Sequence, residues 1–327
     1  MQRVFDGHND ALLRAGPDAF LAGRPDGHLD LPRARAGGLA GGIFAVFTPG
    51  EGDWEHPEPV AQPEAAAHST RIAGRLQALE RAGAVRIVRA AADLDAPGDA
   101  LLAVLHLEGA EAIDPQLEAL EHWHAAGLRS LGPVWSRPNA FGHGVPFRFP
   151  SSPDTGPGLT EAGVRLVRRC NELGIVVDVS HLNAAGFFDV ARVSEAPLVA
   201  SHSAVHALCP ASRNLTDAQL DAIGASGGLV GIVFAAPFLR ADGEDDADVP
   251  LAVVAAHARH VAERIGVEHV ALGSDFDGAD IPDALGDVAG LPRLLDAIRA
   301  TGFSDAEMEQ IAWANWRRVL EAAWRAG

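Results

Sequence analysis

His8 and Asp10 stand two residues apart in the stretch Asp6-Gly-His8-Asn-Asp10. On an extended chain, side chains at i and i+2 point the same way, so this pair could chelate one cation. The same stretch is also good turn chemistry, and alone it supports either reading. His181 and His202 lie 21 residues apart. That is enough for one short strand–helix unit, which would put them on neighbouring strands about 4.8 Å apart. Two neutral imidazoles with a carboxylate make a good zinc site, although either His alone reads more simply as a satisfied core or loop histidine. Glu108 and Asp275 each end an apolar run, and a buried carboxylate is costly unless it is paired or metal-bound. Six such ligands exceed the need of one tetrahedral zinc and suit two metals about 3.5–4 Å apart that share a bridging group. The chain contains no Lys, so a carboxylated lysine cannot be the bridge. A carboxylate must serve, and Glu108 is the central candidate.

Eight short runs rich in Val, Ile and Leu carry these residues: Arg3–Phe5, Gly42–Phe47, Leu101–Leu107, Ser130–Trp135, Ile175–Val179, Pro197–Ala200, Leu229–Phe234 and His269–Leu272. Most lack alternation, as parallel strands buried on both faces do. Helical stretches separate them, with readable signals. Thr160 caps one that Gly174 stops, and Thr216–Gln219 and Ser304–Glu307 are capping boxes. Gly/Pro/Asp-rich segments at Pro49–Pro63, Phe141–Gly158 and Ala235–Pro250 read as long loops or insertions. The expectation is an α/β chain folded as one (β/α)8 TIM barrel with loop insertions, a single domain over residues 1–327, rather than two domains; a doubly wound sheet is the runner-up. In a barrel all strand C-termini open onto one face, so ligands distant in sequence would converge there.

Composition narrows the function. The net charge is −18 over 327 residues, which argues against nucleic acid and against an anionic membrane surface. All 26 basic residues are Arg, and Tyr is absent, so Lys Schiff bases and Tyr acid–base groups are excluded. Cys170 and Cys209 make no disulfide framework and read as buried thiols. No run of 18 apolar residues exists and no signal peptide precedes Asp6, so the expectation is a cytoplasmic protein.

The motifs then add up. D-G-H-N-D, E-G after a strand, G-L-T-E-A-G, V-D-V-S-H, A-S-H-S, R-N-L-T-D and G-S-D-F-D-G occur in that order. The ordered set resembles the membrane (renal-type) dipeptidases, the M19 metallopeptidases, over essentially the whole chain. The resemblance implies a (β/α)8 barrel of the amidohydrolase kind holding two zinc ions. It implies one zinc on His8, Asp10 and Glu108, a second on Glu108, His181 and His202, and Asp275 beside the first. It implies dipeptide hydrolysis, including a D-residue at the C-terminal position as one option, by hydroxide bridging the metals. Asp275 would carry the proton to the leaving amine, and Arg213 would grip the terminal carboxylate. A homodimer is also what the family suggests. One departure stands out: where the family commonly has His after the fourth strand, this chain has Trp135, and His143 on the following loop could substitute. That keeps open hydrolysis of another small amide, lactone or ester. Asp178 is expected to orient backbone or a ligand His, Asp277 to be structural, and His106 to pack.

Overall fold

Each of the eight apolar runs overlaps a strand of one parallel sheet. The computed structural model describes residues 2–14, 16–53, 55–95 and 98–324. Nine strands are present among them: β1 (Val4–Asn9), β2 (Leu39–Phe47), β3 (Val85–Ile87), β4 (Leu101–Glu108), β5 (Leu128–Gly132), β6 (Val176–Val177), β7 (Val199–Ser203), β8 (Leu229–Ile232) and β9 (Val270–Leu272). Their order is β6-β5-β4-β2-β1-β9-β8-β7, with β3 pairing β4 off this path. The sheet curls until its two ends approach: Asp178 and Val199 form an isolated parallel bridge, and the Val179 N–H donates to the Val199 carbonyl at 2.8 Å. This is an α/β fold with a curled parallel sheet, consistent with a TIM-like barrel.

Burial explains the unalternated runs. All eight residues of β4 are buried, as are all six of β1, because helices cover one face of each strand and the interior of the curl covers the other. Helix Glu161–Leu173 begins with the Thr160 side chain accepting from the Gly163 N–H, and ends at Gly174 with φ 64°. Reciprocal caps open helix Asp217–Ala225 (Thr216, Gln219) and helix Asp305–Glu309 (Ser304, Glu307).

The C-terminal helix Asn315–Trp324 closes one end of the sheet. A core separate from the main one joins Phe5, Ile43, Val104 and Leu229 of the strands to Trp313, Trp316 and Leu320. Phe5 packs against Trp313 and Trp316 with ring centroids 5.9 and 5.7 Å apart. The Trp316 indole donates to the Leu272 carbonyl at 2.9 Å. Gly7 permits this approach, since a Cβ there would meet Trp316 Cζ2 at 2.4 Å.

Three sequence expectations need correction. The D-G-H-N stretch lies inside β1 rather than after it. β5 stops at Gly132, before Pro133, which has no N–H to continue the ladder, so Trp135 is on the following segment. The 235–250 segment contains a short helix, Ala236–Leu239. Among the described residues no helix is long and apolar enough to cross a membrane.

Candidate metal centre

The strand ends bring four of the expected ligands around a fifth, the Glu108 carboxylate. His8 is the fifth residue of β1 and Asp10 follows that strand. Glu108 is the last residue of β4, His202 lies in β7, and His181 follows β6. Their exposures are all 6% or less. Glu108 Oε2 is 3.6 Å from His8 Nε2, while Glu108 Oε1 is 2.9 Å from His181 Nε2 and 3.7 Å from His202 Nε2. His8 Nε2 is 3.4 Å from Asp10 Oδ2. Two sets, His8–Asp10–Glu108 and Glu108–His181–His202, each place their donor atoms within 4.8 Å of one another. Glu108 belongs to both.

Hydroxyl groups fix which imidazole nitrogen faces the centre. Ser201 Oγ donates to Asp178 Oδ2 at 2.5 Å and lies 2.8 Å from His202 Nδ1. A serine hydroxyl has one proton. Spent on the carboxylate, it leaves the oxygen to accept from His202 Nδ1–H, so Nε2 presents its lone pair. Ser136 Oγ stands 2.7 Å from His181 Nδ1 and fixes the orientation of that ring. Burial, followed by the Arg213 charge, pushes His181 down to about 4, which favours the neutral ring.

These donors fit a divalent cation pair. Both ring nitrogens of His8 and Asp10 Oδ1 are buried without a hydrogen-bond partner, a costly state for polar atoms unless something else satisfies them. His181 and His202 turn their Nε2 atoms toward each other at 3.0 Å. Imidazole and carboxylate together suit zinc and similar borderline metals.

Asp275 completes the rim three residues past β9. Its φ of 63° is left-handed, its N–H donates to the His8 carbonyl at 3.0 Å, and with His8 and His202 it forms a further set of donors within 4.8 Å. Burial, with Asp10 and Glu108 close by, pushes its carboxyl up to about 7. Gly278 makes room: a Cβ there would lie 2.3 Å from Asp10 Oδ2 and 2.4 Å from Asp275 Oδ1. Asp277 turns away. Its carboxylate receives the Arg24 guanidinium and the His28 N–H, and its own N–H donates to His28 Nδ1 at 3.0 Å.

Arg213 is buried, with 2% exposure. It donates to Ser203 Oγ at 2.9 Å and to the His202 carbonyl at 2.8 Å, while its Nε has no partner. Among the described residues no carboxylate pairs with it, and burial lowers it to about 10. Trp135 lies against His181, ring centroids 5.6 Å apart. His143 sits half-buried on the 141–158 loop, its Nδ1 3.3 Å from the Gly158 carbonyl, and belongs to no donor set among the described residues. His106 does more than pack: a ring nitrogen lies within 4.8 Å of His8 and Asp178 donor atoms. Sequence reading gave no role to Ser136, Ser201 or Gly278. Ser201 adjoins His202 in sequence, whereas Ser136 lies 45 residues from His181 and no local pattern points to it.

A curled parallel sheet with imidazoles and carboxylates gathered at its strand ends has the donor set of a metal-dependent hydrolase. Comparison with known proteins makes this specific. The profile of the membrane dipeptidases, peptidase family M19, matches residues 1–326, and the chain belongs to that family. A metallopeptidase structure from Rhodobacter sphaeroides, liganded with a phosphinate mimic of L-Ala-D-Ala, is 47% identical with TM-score 0.95, covering 99% of both chains. A dipeptidase AC structure, also of family M19, is 49% identical with TM-score 0.94 and covers 99% of both chains. An uncharacterized Klebsiella pneumoniae protein from the pqqA 5′ region is 50% identical over 246 residues, 75% of this chain and 91% of the relative. The chain is thus a metallo-dipeptidase.

Proposed function

We propose that residues 1–327 form one (β/α)8 hydrolase barrel with loop insertions, and that it splits dipeptides using two zinc ions per chain. His8, Asp10 and Glu108 would hold one ion; Glu108, His181 and His202 would hold the other. The observation that carries this is the placement of a single carboxylate, Glu108, within 3.7 Å of three imidazoles on three other strand ends. When bound, the metal pair supplies an activated water at neutral pH and polarises the scissile carbonyl.

The protein's own groups do the rest. Asp275, held over Gly278 by its left-handed backbone, receives the proton that the attacking water gives up. It then delivers that proton to the departing amine as the C–N bond breaks. Among the described residues no carboxylate forms an ion pair with Arg213, and a planar guanidinium suits a carboxylate in two-point contact. It would hold the C-terminus of the dipeptide. The burial of every ligand keeps bulk water away and strengthens these charge contacts. A C-terminal D-residue is within this reading, since the R. sphaeroides relative holds a mimic of L-Ala-D-Ala.

The test is a panel of L,L- and L,D-dipeptides assayed with metal-stripped and zinc-reloaded protein. Restoration of peptide hydrolysis by zinc is expected. Hydrolysis of small esters or lactones with no dipeptide turnover would reassign the bond.

A further inference from the structure

Four aromatic rings run beside the centre in one belt. Phe47 ends β2, Trp135 follows β5, Phe147 lies on the 141–158 loop and Phe238 on helix Ala236–Leu239. Successive ring centroids are 5.1, 5.7 and 5.1 Å apart along Phe47–Trp135–Phe147–Phe238. Trp135 and Phe147 both face His181, at 5.6 and 6.3 Å, inclined by 33° and 30°. At the far end Phe238 lies 5.8 Å from the Arg213 guanidinium carbon. Phe47 and Phe147 remain half-buried, so part of the belt still meets solvent.

The belt is braced from behind. The Arg137 guanidinium packs on Trp135 and Phe47 at 5.2 and 5.3 Å from their ring centroids. It is itself held by Glu111 Oε1 at 2.9 Å and the Thr48 carbonyl at 2.6 Å. Its charge is therefore engaged inside the protein. Phe147 and Phe238 rest on a separate apolar cluster that includes Ala204, Cys209 and Val233.

We propose that this belt is the subsite for the side chain of the C-terminal residue and makes the enzyme prefer apolar residues there. The proposal rests on the reading of Arg213 as the partner of the terminal carboxylate. In an α-amino acid the carboxylate and the side chain leave the same carbon. A carboxylate on Arg213 therefore brings the side chain against Phe238 and Phe147, and a longer one extends toward Trp135. The faces of these rings gain from burying methylenes and penalise a charge that loses its water.

The test uses the full-length zinc-loaded protein with two substrate series: Ala-X, with X as Gly, Ala, Leu, Phe, Asp or Lys in both configurations, and X-Ala with the same residues. In the accepted configuration kcat/KM should climb from Gly to Leu by about fourfold per buried methylene. Asp and Lys should fall at least tenfold below Leu. Phe147→Ala should flatten the Ala-X series by about tenfold at Leu and Phe and lower every member of the X-Ala series by one common factor of about fourfold or less, since each places a single methyl in the subsite, with unchanged zinc content and circular dichroism. Dipeptide turnover that ignores the C-terminal side chain would overturn the subsite while leaving the dipeptidase reading intact. Equal loss in both series for Phe147→Ala would also overturn it. No turnover of any dipeptide would remove the reading itself, and the subsite with it.

Discussion

His181 and His202 aim their Nε2 atoms at each other across 3.0 Å. Each ring has its Nδ1 engaged by a serine hydroxyl, so both present Nε2 toward Glu108 Oε1, at 2.9 and 3.7 Å. A cation bound between these nitrogens would take a lone pair from each and satisfy the carboxylate at the same time.

Metal should therefore stabilise the whole protein. A ligand present at a hundredfold excess over its Kd contributes about 2.7 kcal/mol, and zinc added to chelator-stripped protein should raise Tm by several degrees. An unchanged melting curve across a zinc titration would contradict the metal assignment.

Ser201→Ala should weaken metal binding about 10–100-fold, the usual cost of losing an outer hydrogen bond to a ligand His. The variant frees the His202 ring and leaves Asp178 one donor short, because Ser180 and the Ser201 N–H remain. Competition against a chromogenic chelator measures the affinity; wild-type affinity would show that Ser201 does not set the tautomer.

Asp275→Asn should keep its metals and lose turnover by about 10²–10⁴-fold, the range for removal of a positioned acid–base group. Metal content by elemental analysis with single-turnover kinetics separates the two. Loss of one metal would instead make Asp275 chiefly a ligand.

Gly278→Ala should disturb the two carboxylates it cradles more than it disturbs folding. Its φ is not in the left-handed region that would strain alanine, but the new methyl meets Asp10 and Asp275 oxygens. The expected result is reduced zinc affinity and kcat/KM with Tm of the stripped protein within a few degrees of wild type. Normal activity would place the carboxylates elsewhere in solution.

Arg213→Met should raise KM by about 100-fold or more for dipeptides with a free C-terminus, since a charge-assisted two-point contact is lost. C-terminally amidated analogues should be affected far less. Equal impairment of both would make Arg213 a structural support for the His202 carbonyl.

The imidazoles and carboxylates that gather at the rim were legible because each falls at or near a strand end and the polar motifs keep their order. The extent of β1 was not. D-G-H-N reads as a turn, yet every one of those residues is buried, because the interior of a curled sheet can satisfy polar side chains that the chain around them gives no sign of needing. β3 escaped notice as a three-residue strand that pairs β4 alone. Ser201 was hidden for another reason: its defining partner, Asp178, lies 23 residues away in sequence, and adjacency to His202 carries no direction for a hydroxyl proton. The aromatic belt draws on four separate segments, so no local pattern announces it.

The pairing of β1 with both β2 and β9, and the sealing of Phe5 by Trp313 and Trp316, join segments that lie far apart along the polypeptide. His8 and Asp275 belong to one group of donor atoms although they come from opposite stretches of the sequence. A backbone cut between them would accordingly split a single rim into fragments, neither of which carries the full set of donors.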